Sequence, residues 1–552
     1  MKKVLTPRKG YDIIIKSRAR ATGSAAVAQS VERRIGSAEV TGPIPVSSFL
    51  DSNTFDKWFG SFLFCSEEEK EEKMKAHIKK GMQKFQQMSI QVKASMAFMA
   101  VNFMQKGISF LTAPIFTRLL TTEEYGKITV YSSWTEVIGI FAMFGLCNNV
   151  FYNGITEFKT DRNNFTFSML ALSNVITMAV FAGVWMVNRY WFRFMNISDT
   201  LILFMFLTFL LEPAFEFWKT RQRFDFKYKL LCVFMVLVMI SSPVCAVAGI
   251  FLFPGTKVAA RVIGAQLMTL MICTGCYVYT ICHGNGRPKL RYWKYAFFYN
   301  LPLIPYFLST YILSSSDRLM IAHYCGEDKA GIYGIAYTMS AVVNIIWSSV
   351  NATMIPTIYK RCEEGRMHTL SEFVNPILMG YGAVCVMIML MAPEVIAFLA
   401  PSSYGEGMYV IPAIVGGVFY MSMFSIFSNI IYYHKKPKFV MGAGVAGAVL
   451  NFLLNVVFIQ LVGYLAAGYT TLAAYLLEVV WAYAAMKKVT KSAVYDRKKL
   501  IAIGVGVLAT AIVTPVFYPY LGVRLLLLAG LLWILWKNKR QMLGLIWKGK
   551  ES

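Results

Sequence analysis

The sequence predicts an all-α integral membrane protein with about fourteen transmembrane helices. Hydrophobic residues make up 56% of the 552 residues and charged residues only 15%, whereas soluble domains carry about a quarter charged residues. Apolar runs of about eighteen residues or more recur along the chain, and that length lets a helix cross a bilayer. The runs lack the period-two alternation of a transmembrane barrel, so a bundle of helices is the predicted class.

The predicted spans are separated by short loops, so we expect no sizeable domain outside the membrane. Within each span the backbone polar groups must be hydrogen-bonded inside the helix, because lipid offers no partner. The approximate bounds are 96–117, 128–150, 165–187, 200–218, 230–253, 259–282, 296–315, 332–352, 373–399, 408–433, 438–461, 464–486, 500–518 and 521–536.

The formal net charge of +25 comes from 55 Lys and Arg against 30 Asp and Glu. In a soluble protein this excess would suggest a nucleic-acid partner, but here the basic residues lie in short loops, and we predict no such partner. They concentrate in alternate loops, which places both termini in the cytoplasm and requires an even number of spans. The basic residues of the predicted cytoplasmic loops are Lys159, Arg162, Lys219, Arg221, Arg223, Lys227, Lys229, Arg287, Lys289, Arg291, Lys294, Lys360, Arg361, Arg366, Lys435, Lys436, Lys438, Lys487, Lys488, Lys491, Arg497, Lys498 and Lys499. Those of the outer loops are Arg118, Lys127, Arg189, Arg193, Lys257, Arg261, Arg318, Lys329 and Arg524.

Residues 1–90 differ from the rest of the chain and are predicted to form a disordered cytoplasmic segment. No apolar stretch follows the basic start, so the pattern of a cleavable signal peptide is missing. Residues 26–34 and 42–49 resemble the peptide obtained by translating a transfer-RNA gene, which favours an upstream extension of the reading frame. The true start would then lie near Met74, Met82 or Met88. A genuine cytoplasmic tail is the alternative.

A weak internal repeat relates two halves of the chain. The residues Thr117-Arg118-Leu119-Leu120, at the end of the first span, recur as Asp317-Arg318-Leu319-Met320 at the end of the seventh. Tyr125-Gly126 recurs as Tyr333-Gly334 after a slightly longer loop. Such repeats are common in transporters, with the substrate site between the halves. We therefore predict a first six-helix lobe over 91–294, a second over 295–487, and two extra helices with a cytoplasmic tail over 488–552.

Several segments, in a fixed order between about residue 90 and residue 487, carry a resemblance to a known family. They are residues 106–111, Pro114, 117–126, 311–319, 330–337, 451–455 and 463–468. Together they resemble the Wzx-type polysaccharide or O-antigen flippases, which are polysaccharide biosynthesis proteins of the multidrug/oligosaccharidyl-lipid/polysaccharide (MOP) exporter superfamily. One departure is Gln460, where the family often has proline.

The resemblance implies two six-helix lobes arranged as an inverted V around a central cavity, and transport by alternating access. It implies that the cargo is an undecaprenyl-pyrophosphate-linked oligosaccharide repeat unit used for O-antigen, capsule or exopolysaccharide synthesis. It further implies a location in the bacterial inner (cytoplasmic) membrane, among membrane lipid. A polysaccharide polymerase and chain-length machinery are the implied protein partners.

Charged residues inside the spans are the candidate cargo ligands, because placing an ionised group in a bilayer costs at least about 2.5–3.5 kcal/mol on insertion scales. Lys106 lies near the middle of the first span and is expected to face a cavity and bind phosphate, unless an internal ion pair neutralises it. Arg118 and Arg318 occupy matching repeat positions, and the planar guanidinium suits phosphate oxygens. Interfacial anchoring with helix capping is their alternative role. Asp317 either joins this substrate-binding set or is a local charge partner of Arg318.

Glu136 and Glu478 are the deeper acidic residues and are candidates for binding a coupling proton or sodium ion. Alternatively, one of them neutralises Lys106. Glu212 and Glu216 lie one turn apart near the inner interface, where a pair facing the basic loop is favoured. The glycine-rich residues 442–447 fit a dinucleotide fingerprint, but they lie inside an apolar span, where close helix packing is the better interpretation.

The sequence contains no convincing catalytic triad and no nucleotide-binding loop, and its five His residues are scattered. We therefore expect a protein that is not an enzyme and uses neither a metal nor a cofactor. Two alternatives to a flippase remain at this point. One is an ion-coupled multidrug exporter on the same fold, which would want acidic groups in its cavity. The other is a membrane polymerase or glycosyltransferase, which generally needs a sizeable extramembrane loop or domain.

Overall fold

The structure is a computed structural model and describes residues 89–191, 195–284, 286–492 and 494–537. Our predictions for residues 1–88, including the start site, and for the tail after residue 537 lie outside these residues. Within the described ranges the chain forms seventeen α-helices and no strand, as the predicted fold class requires. The helices are α1 (Ile90–Leu119), α2 (Thr122–Ala142), α3 (Phe151–Glu157), α4 (Arg162–Met186), α5 (Asp199–Phe224), α6 (Tyr228–Leu252), α7 (Lys257–His283), α8 (Leu290–Asn300), α9 (Ile304–Cys325), α10 (Glu327–Glu363), α11 (Leu370–Leu390), α12 (Ala392–Leu399), α13 (Ile411–Tyr433), α14 (Pro437–Val462), α15 (Ala466–Thr490), α16 (Arg497–Val513) and α17 (Leu521–Lys537).

The described residues form ten candidate spans long and apolar enough to cross a membrane, counted with their short flanking turns; α8 and α9 together make one of them. The other four predicted spans lie on α1, α2, α15 and α17, which do not meet both requirements of length and apolar composition. The span 128–150 runs past the end of α2 at Ala142. The predicted span 296–315 lies within the candidate span Leu290–Cys325, inside which a 3-10 turn at Leu301–Leu303 separates α8 from α9. Proline at position 302 lacks the N–H that a continuous helix needs.

The start of α2 is fixed by a capping box, which also sets the position of the Tyr125-Gly126 motif. The Thr121 hydroxyl accepts a hydrogen bond from the backbone N–H of Glu124 at 3.1 Å. The Glu124 carboxylate in turn accepts one from the backbone N–H of Thr121 at 2.9 Å. Two otherwise unpaired donors are satisfied in this way, so α2 begins at a defined residue, Thr122.

The helices pack in two groups joined by α8. In the first group, α6 packs on α7, and α5 packs on α4 and α7; in the second, α13 and α14 both pack on α15. The predicted boundary between residues 294 and 295 lies inside α8, which packs on α4 of the first group. The lobe boundaries themselves stay a prediction.

Helix α8 is tied to the first group through one carboxylate, that of Asp161. It accepts hydrogen bonds from the ammonium group of Lys289 and from the Tyr292 hydroxyl, the latter at 2.6 Å. The indole N–H of Trp293 donates to the backbone carbonyl of Ser168 at 2.9 Å. These bonds hold the connection between the two groups against α4.

The two extra C-terminal helices pack on the second group. Helix α16 lies against α11 and α13, and α17 lies against α11. Arg524 of α17 is buried and donates to the Glu394 carboxylate at 2.7 Å and to the backbone carbonyl of Leu390 at 3.0 Å. The loop position predicted for Arg524 is therefore wrong, because its guanidinium anchors α17 to the second group.

Candidate functional site

We call the first and the second group of helices the first and the second lobe. They meet at a close contact between α2 and α10, which we call the lobe contact (Gly126 and Gly331). A Cβ atom added to Gly126 would lie 1.7 Å from the backbone carbonyl oxygen of Glu327. One added to Gly331 would lie 2.2 Å from the carbonyl oxygen of Thr122. Only residues without a side chain allow this approach, so both glycines have a structural function here. The repeat had matched Gly126 with Gly334, whose added Cβ would meet the Thr129 hydroxyl at 2.8 Å on the same pair of helices.

Polar groups surround the lobe contact and join the same two groups of helices. The Thr117 hydroxyl donates to the carbonyl oxygen of Leu399 at 2.7 Å. The Tyr404 hydroxyl donates to the carbonyl oxygen of Thr121 at 3.2 Å. These bonds, together with the glycine contact, close the space between the lobes at this end.

Below the lobe contact lies a cavity of about 330 Å³ between α1, α6 and α7. We call it the arginine pocket, and its polar lining consists of Gln105, Ser109, Thr112, Ser242, Arg261 and Thr338. Thr338 belongs to α10, so both lobes contribute to the pocket. Tyr125 closes it on the side of the lobe contact and packs edge-on against Tyr404 of the second lobe, with the ring centroids 6.2 Å apart.

Arg261 carries the only charge among the residues that line the arginine pocket. Its guanidinium carbon lies 4.3 Å from the ring centroid of Phe116 and 6.0 Å from that of Tyr125. Its Nε atom is buried without a hydrogen-bond partner, and in the described part of the chain no carboxylate comes within 4.0 Å of the guanidinium. Sequence analysis counted Arg261 among the outer-loop residues, because it lies only one turn after the start of α7.

Lys106 lies on the stripe of α1 that faces the second lobe. The residues Phe110, Ala113 and Thr117 follow it at helical spacing; Phe110 and Ala113 belong to the hydrophobic core of the second lobe, and Thr117 bonds to Leu399. Lys106 itself is exposed, and the structure records no ion pair or hydrogen bond for it among the described residues. An internal ion pair to Glu136 or Glu478 is therefore absent from this conformation.

The repeat-matched residues Arg118 and Arg318 have different surroundings. Arg118 is exposed and donates to the carbonyl oxygen of Pro114 in its own helix at 2.8 Å, which favours the capping role. Arg318 is partly buried, with its guanidinium carbon 4.1 Å from the ring centroid of Tyr337 and its Nε without a hydrogen-bond partner.

Asp317 is buried and lines neither the arginine pocket nor the glutamate cavity. Its carboxylate accepts hydrogen bonds from the Tyr333 hydroxyl and from the backbone N–H of Arg318, the latter at 2.9 Å. No ion pair within 4.0 Å joins the Asp317 and Arg318 side chains in the described structure. The hydrogen bond to Tyr333 holds α9 against α10.

A second cavity, of about 600 Å³, lies between α2, α5 and α9. We call it the glutamate cavity, because Glu136, Glu212 and Glu216 line it and no basic residue does. Glu136 accepts a hydrogen bond of 2.5 Å from the Ser315 hydroxyl of the second lobe. The Glu216 carboxylate accepts a hydrogen bond from the ammonium group of Lys219, one turn later in the same helix. The predicted pairing toward the basic loop therefore applies to Glu216, and the cavity groups Glu212 with Glu136.

Glu478 lies apart from the glutamate cavity, in the middle of α15, and only 3% of it is exposed. A Cβ atom added to Gly447 of α14 would lie 2.8 Å from its Oε1 atom. Glycine in the 442–447 segment therefore serves close helix packing, as the sequence suggested, and the space that it leaves is occupied by a carboxylate. In the described structure no hydrogen-bond donor is recorded for Glu478.

Sequence analysis missed a buried hydrogen-bond network between α14 and α15. Asn451 donates to the Thr471 hydroxyl at 3.0 Å, and Asn455 donates to the Asn451 side-chain oxygen at 3.1 Å. The Thr470 hydroxyl donates to Asn455. In lipid, such bonds between neighbouring helices replace the driving force that burial of apolar surface supplies in water. The 451–455 segment had been read only as a family resemblance.

Residues 92–361 match the family model described as polysaccharide biosynthesis protein. This match covers just under half of the chain. A curated relative from Haemophilus influenzae, named "Lsg locus putative protein 1", is 20% identical over 370 residues, which cover 65% of this chain and 88% of the relative.

Solved structures of two transporters share the fold of this chain. The lipid II flippase MurJ in an inward closed conformation matches with a TM-score of 0.60 and 12% identity, over 82% of this chain and 99% of MurJ. An inward-facing multidrug resistance MATE family transporter of the MOP superfamily matches with a TM-score of 0.51 and 11% identity, over 73% of this chain and 99% of the transporter. The chain thus shares the fold of these two transporters, as the resemblance implied.

Proposed function

We propose that this protein is a flippase that moves undecaprenyl-pyrophosphate-linked oligosaccharide repeat units across the bacterial inner membrane for surface polysaccharide synthesis. The observation that carries the proposal is the position of Lys106, an unpaired cation in the middle of α1 on the stripe that faces the second lobe. An ionised lysine at this depth is costly unless it meets a water-filled cavity or an anion. The pyrophosphate of the cargo is such an anion.

The closed lobe contact supports alternating access as the mechanism. Glycine packing and two hydrogen bonds close the space between the lobes at one end, and these contacts must part if cargo is to leave there. In the proposed orientation, with both termini in the cytoplasm, this end faces the periplasm. The lipid tail stays in the bilayer while the sugar passes between the lobes. On the periplasmic side, a polysaccharide polymerase and chain-length machinery would receive the sugar.

Glu136 and Glu478 are the proposed groups for a coupling proton or sodium ion. Glu136 links α2 of the first lobe to Ser315 of the second through a hydrogen bond, so a change in its charge would bear on the packing of the lobes. Glu478 is a carboxyl group buried between α14 and α15 without a recorded donor. A carboxylate in such a place needs a bound cation or a proton.

An ion-coupled exporter of cationic compounds is the second candidate, and one observation favours it. The glutamate cavity has three carboxylates and no basic residue in its lining, which suits a cationic ligand. Such an exporter would have no use for a cation at position 106.

The deciding experiment is mass spectrometry of lipid-linked sugars in a strain that lacks this gene, with sidedness tested by a membrane-impermeant glycosidase. We expect repeat units to accumulate in a protected, cytoplasmic position and the wild-type gene to move them to the accessible face. Lys106→Ala should leave at least about 90% of the units protected, and Lys106→Arg should restore much of the transport, at a protein level equal to wild type. Units that reach the outer face normally without the gene would contradict the flippase and favour the exporter.

A further inference from the structure

We propose that the arginine pocket is a phosphate site, in which Arg261 binds the phosphate group of the lipid-linked cargo next to the closed lobe contact. This inference rests on the proposed function, and it places a second cationic position on the cargo's path besides Lys106. The ligand class is a phosphate or pyrophosphate ester.

The charge of Arg261 is the first argument. Its guanidinium has no carboxylate within ion-pair distance in the described structure, and its buried Nε has no hydrogen-bond partner. Contacts with the faces of Phe116 and Tyr125 offset part of the desolvation cost of the guanidinium. A partly buried cation without a counter-ion leaves part of its desolvation cost uncompensated, so an anionic ligand would stabilise it. The planar fork of donors suits two phosphate oxygens at once.

The neutral lining is the second argument. No carboxylate lines the pocket, so nothing competes with an incoming anion for the guanidinium. The Gln105 amide and the Ser242 hydroxyl also line it, and the structure records no side-chain hydrogen bond for either within its described ranges. Both can donate to a phosphate oxygen. The volume of about 330 Å³ lies at the small end of ligand pockets, which fits a phosphate group better than an oligosaccharide.

The relation to the lobe contact is the third argument. Tyr125 lies between the pocket and Tyr404 of the second lobe, and Thr338 of α10 completes the lining. Phe116, which touches Arg261, follows Lys106 by about 15 Å along α1 at the rise of a helix. A phosphate that leaves Lys106 for Arg261 would therefore arrive directly behind the contact that has to open. A phosphate bound in the pocket would therefore contact residues that also hold the two lobes together.

The test measures ligand affinity of the full chain, purified in detergent, by isothermal titration calorimetry with undecaprenyl phosphate and, separately, with inorganic pyrophosphate. We expect Arg261→Gln to weaken binding about tenfold or more, because a charge-assisted hydrogen bond is worth about 1.5–3 kcal/mol. Lys257→Gln is the matched control, since Lys257 is a cation one turn away from Arg261 and outside the pocket. The affinity of this variant for both probes should stay within about twofold of wild type. Unchanged affinity of Arg261→Gln for both probes, or no binding by the wild type, overturns the inference.

Two further arms keep the result unambiguous. If Arg261→Gln does not give a monodisperse protein, Ser242→Val and Gln105→Leu keep the charge and remove one donor each, and each should weaken binding about threefold. No change in either variant then overturns the site. Binding of undecaprenyl phosphate alone identifies a lipid-borne phosphate, whereas equal loss with both probes identifies phosphate chemistry from either source. The sidedness assay with the wild-type gene separately decides the proposed function, so each can fail without the other.

Discussion

The arginine pocket and the glutamate cavity lie at two levels of the same helix, α2, and differ in the sign of their charge. Tyr125, at the start of α2, lines the arginine pocket, and Glu136, about 16 Å further along, lines the glutamate cavity. The first has one guanidinium and no carboxylate, and the second has three carboxylates and no basic residue. Opposite charges placed together in a membrane would form a buried ion pair and neutralise each other.

In the described structure this separation leaves Arg261, Glu136 and Glu212 without an ion pair, whereas Glu216 is paired with Lys219. In the described structure no ion pair joins Arg261 or Lys106 to the carboxylates of the glutamate cavity. We infer that an anionic cargo and a coupling cation can be bound at different sites in one transport cycle. The lobe contact lies next to the arginine pocket and about three turns of helix from the glutamate cavity. We therefore expect binding at the two sites to affect the lobe contact differently.

Gly126→Val should have the largest effect, because it prevents the closure on which the arginine pocket depends. A side chain at position 126 would overlap the backbone of Glu327, so α2 and α10 cannot pack as they do. We expect loss of about 99% or more of the transport measured by glycosidase sidedness, with a normal protein level. Gly183→Val is the control, since a Cβ atom there meets nothing within 4 Å. Normal transport by the Gly126→Val variant would show that the lobes need not close here.

Glu136→Gln should have a smaller effect, and one that separates the two cavities. It removes the charge and weakens the hydrogen bond from Ser315, so we expect transport to fall about tenfold, in line with the loss of one charge-assisted bond. The affinity for inorganic pyrophosphate, measured by calorimetry, should stay within about twofold of wild type. Glu478→Gln tests the other coupling candidate in the same assays. A parallel loss of pyrophosphate affinity in the Glu136→Gln variant would show that the cavities are not independent.

Asp161→Asn should have the smallest effect, because Asp161 lines neither cavity and acts on the anchoring of α8. Hydrogen bonds from Lys289 and then Tyr292 hold the pKa of Asp161 below its ordinary value. A lowered pKa in the folded state means that the carboxylate stabilises the fold above the unfolded pKa of about 3.9, and that this contribution is lost as the pH falls through the folded value.

The thermal unfolding midpoint of Asp161→Asn should therefore drop by about 1–2 °C at pH 7, as expected for about 0.5–1 kcal/mol in a chain of this size. The difference from wild type should shrink as the pH falls below about 4. Asp199→Asn is the control, since the Asp199 carboxylate is more than half exposed and its pair with Arg189 is long, at 3.5 Å. An undiminished difference at low pH would exclude the carboxylate as the cause.

Much of the architecture could be predicted from the sequence, because apolar runs long enough to cross a bilayer indicate where helices lie. The sequence did not show local breaks inside an apolar run, such as the turn at Leu301–Leu303 that separates α8 from α9. The repeat correctly singled out Gly126 and Gly334, yet it could not show that α2 and α10 contact each other. Contacts between helices depend on rotation about each helix axis, which the length of an apolar run does not specify.

Individual site residues were harder to interpret. Lys106 was found because a cation in the middle of a span is conspicuous, whereas Arg261 was missed because an arginine near the end of a span looks like a loop residue. Arg118 and Arg318 share a sequence motif, but one bonds to its own helix and the other stacks on Tyr337. A motif specifies residue types, and the neighbouring helices decide what each side chain meets.

The sequence by itself determined that this protein is a helical membrane protein, since hydropathy is a property of the chain alone. That its two halves are related stays a prediction. Only the tertiary structure decided which charges are paired. Arg524 is bonded to Glu394, whereas Arg261 is left without a counter-ion beside a neutral cavity. The physical reason is that ion pairs and pockets depend on distances of a few ångströms between helices far apart in the chain, and the order of residues along the chain does not specify those distances.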